Sequence, residues 1–162
     1  MAEENLATSS PNLRAALSFL SIADTLDPAP LETLLSPSYT HTLAPSSLTG
    51  FGPWDKAGFM AHISFMGSVL EGFPVKVVEA VESERSVWAW TRSQARWHAA
   101  AMDKDGEDTG KEWDFKGENL FMLWFDAQGK IERCVEMMDS LRSVNVFIPL
   151  LERATANVSN AS

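Results

Sequence analysis

Apolar positions along the chain follow two rhythms in succession. As far as Gly72 they recur every three or four residues, and beyond Phe73 they approach alternation. The first spacing belongs to helices with one buried stripe, the second to strands. Ser10-Pro11 offers a capping hydroxyl followed by a first-turn proline. Leu13, Ala16, Leu17 and Leu20 then line one side of a helix predicted to end near Asp27-Pro28. A short helix around residues 31–35 is stopped by Ser36-Pro37, and residues 38–52 read as an extended piece and a turn-rich loop. Pro53-Trp54-Asp55 opens a second long helix, with Phe59, Ile63, Met66 and Leu70 on its core face and Gly72 at its end.

Four strands are predicted next. Residues 74–83 form one and residues 86–100 a second, followed by a polar hairpin tip at residues 103–112. The last two are joined by a turn at Ala127-Gln128-Gly129-Lys130. The earlier of that pair is apolar on both faces, since Leu120, Met122 and Trp124 alternate with Phe121, Leu123 and Phe125. The later one carries Glu136 and Asp139 beside Val135, Met137 and Met138. Residues 141–154 are an apolar closing segment, helical before Pro149. The organisation expected is a disordered N-terminus over 1–10, one domain over 11–155 and a disordered tail over 156–162. Helices followed by an antiparallel meander define an α+β fold with the helices on one face of the sheet. Long strands twist and curl, so the helices close the concave side of a cone-shaped barrel around a pocket.

Composition narrows the function. A chain of 162 residues suits one domain with a proper core. Its net charge of -9 argues against nucleic acid and anionic membrane surfaces as partners. Six Trp and nine Phe beside a single Tyr supply large rings that wall a pocket or fill a core. The acidic N-terminus lacks a signal peptide's basic and greasy segments, and no apolar run is long enough to cross a membrane. Cys134 is the lone cysteine, so no internal disulfide forms, and it reads as a buried structural thiol. These features predict a cytoplasmic protein.

Carboxylates in such apolar surroundings need a reason, because burying one unpaired costs several kcal/mol, roughly. By strict alternation Asp139 shares a face with Ile131, Val135 and Met137 and is the first candidate for a catalytic acid or base; Glu136 points the other way unless a bulge intervenes. His62 lies on the apolar face of the second helix. A satisfied core histidine is its plainer reading, and a general acid/base the alternative. Glu118 is either a second carboxylate at the pocket mouth or a solvated strand end. Tyr39 and His41 share one face and together can hold a substrate carbonyl or steady an enolate, though a surface turn beside Pro45 also accounts for them. Trp88, Trp90, Arg92, Gln94 and Arg96 occupy one strand face, which fits a cavity wall binding a ring system and its oxygen or a subunit interface. Residues 103–106 hint at a calcium loop, but the glycine comes two places early. The histidines and the cysteine have no zinc spacing, and neither a phosphate cradle nor a Gly-x-Ser-x-Gly elbow occurs. No metal or cofactor is expected.

Three segments carry a resemblance: Thr40-His41 running to Ala44-Pro45-Ser46-Ser47-Leu48; Phe59-Met60-Ala61-His62; and Gly117-Glu118-Asn119-Leu120-Phe121 continuing to Gly129-Lys130-Ile131 and Glu136-Met137-Met138-Asp139-Ser140. Over roughly residues 11–155 the chain resembles the nuclear-transport-factor-2-like (SnoaL-like, scytalone-dehydratase-like) fold. Within it, the segments resemble a fungal secondary-metabolite group that includes the isomerases of the terretonin and austinol meroterpenoid pathways. An aromatic often follows the glutamate of that group's Gly-Glu segment, where Asn119 stands here. The resemblance implies a cofactor-independent isomerase or cyclase acting by acid/base chemistry on a hydrophobic polycyclic polyketide or meroterpenoid. It favours His62, Asp139 and Glu118 as catalytic, with Tyr39, His41, Trp90, Arg92, Phe121 and Glu136 binding substrate. A dehydratase of the scytalone type and a non-catalytic binding or dimerisation protein are the alternatives. A homodimer is expected under each, because so aromatic a sheet face calls for a cover.

Overall fold

The computed structural model describes residues 9–48, 51–103 and 112–161; most of the expected N-terminal fray and of the expected hairpin tip lies outside them. Helix α1 spans Pro11–Ser21, with Ser10 accepting a hydrogen bond from the Leu13 N–H, and it buries Ala16, Phe19 and Leu20. It ends earlier than the sequence suggests and passes into a 3-10 turn over Ile22–Asp24. Helix α2 is a single turn, Leu31–Leu34, and strand β1 starts at once, Leu35–Ala44, carrying Pro37 within it. The extended piece is therefore a full strand that reaches back into the expected helix. Trp54–Asp55 forms β2 against β1 before α3, Lys56–Val69, in which the Asp55 side chain caps the Gly58 N–H at 2.8 Å.

Beyond α3 the chain makes β3 (Leu70–Gly72), β4 (Val75–Glu82), β5 (Ser86–Gln94) and β6 (Arg96–Trp97). The expected second strand thus breaks at Ala95, and its end pairs with β3 in a separate two-stranded sheet. Gly72 is required where β3 passes under the 3-10 turn, because a Cβ there would collide with the Asp24 carbonyl oxygen and the Arg96 guanidinium. Strands β7 (Lys116–Phe125) and β8 (Ile131–Met138) follow, with Gly129 at positive φ in their turn. The main sheet runs β2-β1-β8-β7-β5-β4, antiparallel except where β1 lies parallel to β8, and it is open. The chain finishes as one helical run: α4 (Ser140–Arg142), a π turn (Ser143–Phe147) and α5 (Ile148–Ala161).

Two expectations are corrected here. The closing helix passes Pro149, which sits in the first turn of α5 directly after the widened π turn. Residues 156–161 also belong to that helix rather than to a loose tail. Asn157 donates to the Ala101 carbonyl at 3.0 Å, and Val158 packs on a buried cluster.

Packing explains the architecture. Val87 and Ala89 of β5, Phe121, Leu123 and Phe125 of β7, and Ile131 and Cys134 of β8 all point toward Phe19 and Leu20 of α1 and Phe59 of α3. A second cluster joins Met66 and Val69 of α3 to Trp97, Trp113, Phe147 and Leu151. Helices α1, α3 and α5 therefore cover one face of the sheet, as an α+β arrangement requires.

Candidate active site

Between the two clusters lies a cavity of about 140 Å³ whose walls come from α1, β1, α3, β7, β8 and the closing helix. Phe19, Leu31, Phe59, Met66, Phe121 and Phe147 are among its apolar lining, and His41, His62, Glu136 and Ser143 bring polar side chains to it. Such a surface, greasy with a few convergent polar groups, is the usual form of a small-molecule site.

Glu136 reaches the cavity because β8 is not regular. Trp124 pairs with Arg133 but Phe125 pairs with Ile131, which leaves Glu132 as an extra residue. The bulge shifts the alternation by one, so Ile131, Cys134, Glu136 and Met138 face the helices while Arg133 and Met137 face out. Asp139, ranked first on strict alternation, is carried away from the cavity. It stands just past the strand, where its side chain caps the Arg142 N–H at 3.1 Å, and it lines a separate open groove with Lys76, Arg92, Lys116 and Arg142. Glu118 is likewise on the outer face, paired with Arg92 at 3.0 Å and accepting from the Trp90 indole at 3.3 Å. Trp90 and Arg92 lie with them on the exposed side of the sheet, so neither they nor Glu118 lines the cavity. Small residues decide the facing: Val87, Ala89, Thr91 and Ser93 leave room for helices where tryptophans would not.

The remaining candidates join in one hydrogen-bonded chain. Tyr39 Oη lies 2.8 Å from His41 Nδ1, and His41 Nε2 lies 3.2 Å from Glu136 Oε2. Burial drives the Tyr39 pKa far above its ordinary value, and the neighbouring Cys134 and Glu136 push the same way. The phenol therefore keeps its proton and donates it to Nδ1. His41 must then carry its own proton on Nε2 and donate to Glu136, which fixes the tautomer. The other carboxylate oxygen accepts from Asn119 Nδ2, and Asn119 Oδ1 accepts from Ser93 Oγ at 3.4 Å. Cys134 is buried beside Tyr39 in the same core cluster, and burial raises its pKa as well, so it is an inert thiol. The Asn119 contribution was not legible from the sequence, since only the β7–β8 register brings it beside Glu136.

His62 completes the group from α3. Its ring stacks on Trp54 at 4.4 Å, and His41 stacks on Phe59 at 4.3 Å. Burial lowers the His62 pKa and His41 lowers it further, against an opposing pull from Glu136. Among the described residues no protein group hydrogen-bonds its imidazole. A neutral ring, open to the cavity and electrostatically coupled to Glu136, can take a proton from a bound molecule and return it. No metal-binding cluster of His, Cys, Asp and Glu occurs among the described residues, nor does any described helix have the length and apolarity to cross a membrane.

The arrangement, an open mixed sheet with helices over one face, is that of the nuclear-transport-factor-2-like fold: an NTF2-like protein from Burkholderia thailandensis aligns over 86% of this chain and 98% of its own, at 16% identity and a TM-score of 0.62. AusH from Aspergillus nidulans aligns over 82% of this chain and 86% of its own, at 24% identity and a TM-score of 0.64. TerC co-crystallized with polyporic acid aligns over 88% and 99%, at 18% identity and a TM-score of 0.64. A phenazine biosynthesis-related protein from Pseudomonas aeruginosa aligns over 84% of each chain, at 12% identity and a TM-score of 0.64. At the level of sequence, no family model and no curated protein matches.

Proposed function

We propose that this chain is a cofactor-independent enzyme that isomerises or cyclises a hydrophobic, ring-bearing polyketide or meroterpenoid intermediate by general acid/base proton transfer. The observation that carries the reading is a neutral His62, without a hydrogen-bond partner among the described residues, in a mostly apolar cavity that also holds the anchored His41–Glu136 pair. The company of the fold supports it, since neighbours include a phenazine biosynthesis-related protein, TerC co-crystallized with polyporic acid and an LEH-like epoxide hydrolase.

In this mechanism His62 removes a proton beside a substrate carbonyl, and the nearby Glu136 charge steadies the imidazolium. Glu136 is held by His41 and Asn119, so it keeps its position while the proton is relocated. The Trp and Phe walls exclude water and orient the ring system, which selects the bond that forms. Positioned proton transfer supplies on the order of a hundred- to ten-thousand-fold in rate.

Deleting the gene and comparing accumulated metabolites identifies the substrate, and turnover of that compound by purified variants tests the roles. His62→Ala and Glu136→Gln are each expected to lose about a hundredfold or more, whereas Asp139→Asn, outside the cavity lining, keeps near-normal turnover. Wild-type rates in both of the first two variants would refute the acid/base assignment, whereas binding without turnover by the wild type would leave a metabolite-binding protein.

A further inference from the structure

One polar group in the cavity is not used by that chemistry. Ser143 opens the π turn of the closing helix, is 3% exposed and lines the cavity with Phe147 and Leu151. Serine hydroxyls within helices usually bond back to the carbonyl four residues earlier. Here the Asp139 carbonyl accepts the Ser143 backbone N–H at 2.9 Å, and the Ser143 hydroxyl has no protein partner among the described residues. The helix geometry explains why it faces inward. In a regular α-helix, positions eight apart drift by about 80°; the wider π turn takes up part of that drift, so Ser143, Phe147 and Leu151 share the cavity wall.

The hydroxyl is not sealed in the core but opens onto the cavity, where a bound molecule meets it. A ligand that fills the cavity covers Ser143, and covering it is unfavourable unless the ligand supplies an oxygen. We propose that Ser143 is a ligand-anchoring residue that donates its hydroxyl hydrogen to a carbonyl or ether oxygen of the bound molecule. Because it stands on the helical wall rather than on the strands that carry His41 and Glu136, the ligand we propose has a second oxygen besides the one at its reacting end. This placement of the reacting end rests on the acid/base reading above, but the anchoring itself does not.

Matched probes test it. The ketone 1-tetralone and its hydrocarbon counterpart tetralin differ by one acceptor oxygen, and their affinities for the full chain are read by heteronuclear NMR titration. Wild type is expected to prefer the ketone about three- to tenfold, the worth of one hydrogen bond. Ser143→Ala should erase the preference without weakening tetralin, and Ser143→Thr, which keeps the hydroxyl, should preserve it. The undisturbed amide spectrum of each variant verifies its fold. No ketone preference in the wild type, or one that survives in Ser143→Ala, overturns the proposal. So does a preference abolished by His62→Ala alone, since the oxygen would then sit at the acid/base end. Loss of the acid/base reading in turnover assays leaves these binding results unaffected.

Discussion

Replacing Tyr39 with phenylalanine removes one oxygen and leaves the ring, so the change isolates a hydrogen bond from the burial around it. Tyr39 and His41 are each 1% exposed, and the phenol is the donor to His41 Nδ1 at 2.8 Å. Ring packing against Phe19 and Phe59 is kept, and the apolar area buried hardly changes. What is lost is the hydrogen bond itself, and what remains is a buried imidazole nitrogen with no partner. A net hydrogen bond is worth about 0.5–1.5 kcal/mol, and an orphaned buried acceptor costs about 1–3 kcal/mol. We therefore expect Tyr39→Phe to destabilise the fold by about 2 kcal/mol, a melting shift of roughly 4–8 °C for a domain of this size. His41→Leu removes the other partner. With both gone the Tyr39–His41 bond leaves no orphan, and the lost His41–Glu136 bond is common to His41→Leu and the double variant, so the double variant should be at least about 1 kcal/mol more stable than the two single effects summed. Urea unfolding followed by circular dichroism gives all three values from shifts in midpoint at constant slope. Additivity within about 0.5 kcal/mol would mean that the two groups are not coupled, and the tautomer argument for His41 would fall with it.

Further outcomes follow from other parts of the structure. Because burial holds the His62 pKa below 6.5, the acid limb of kcat/KM should lie below pH 6.5; a limb at or above that value would show that His62 is not the titrating base. In stability terms the unfolded chain protonates this imidazole more readily than the folded protein does below about pH 6.5, so the fold loses stability as the pH drops below that value and regains it as the pH rises. Glu136→Gln removes the one influence that raises the His62 pKa, so the ring's NMR titration midpoint should move further down, and an upward move would contradict the geometry. Gly72→Ala should cost about 1–3 kcal/mol by overpacking against the Asp24 carbonyl, measured as a drop in melting temperature; an unchanged melting point would show that the 3-10 turn yields freely.

Much of the architecture could be read from local chemistry. The capping side chains of Ser10 and Asp55 sit where short polar residues precede an apolar stripe, and the structure uses both as caps. The alternation in β5 and β7 also gives the right partition, since Val87, Ala89, Thr91 and Ser93 share one face and Trp88, Trp90, Arg92 and Gln94 the other. What alternation does not supply is which face the helices cover. In β7 both faces are apolar, and only the small residues of neighbouring β5 mark the inner one. Strand β1 was harder to see because Pro37 reads as a stop, yet the segment before Thr40 departs from regular pairing with β8 and accommodates it. Ser143 had no legible signal beyond being a polar residue inside an apolar closing segment.

The site shows the same limit in its sharpest form. Counting by twos from Ile131, an ideal strand would present Arg133, Val135, Met137 and then Asp139 on the cavity face, which is why Asp139 led the sequence reading. One extra residue at Glu132 reverses that order and brings Cys134, Glu136 and Met138 inward instead. The neighbouring strands then fit the reversed phase. Parallel pairing sets His41 opposite Cys134, and its imidazole reaches Glu136, two residues further along β8. Antiparallel pairing sets Phe121 opposite Glu136, with Asn119 close enough to donate to the carboxylate. Each of these contacts depends on the bulge and none on composition. The choice between two nearby carboxylates thus rests on a backbone irregularity, and the donors on both sides of Glu136 are the independent sign that the fold is built around that choice.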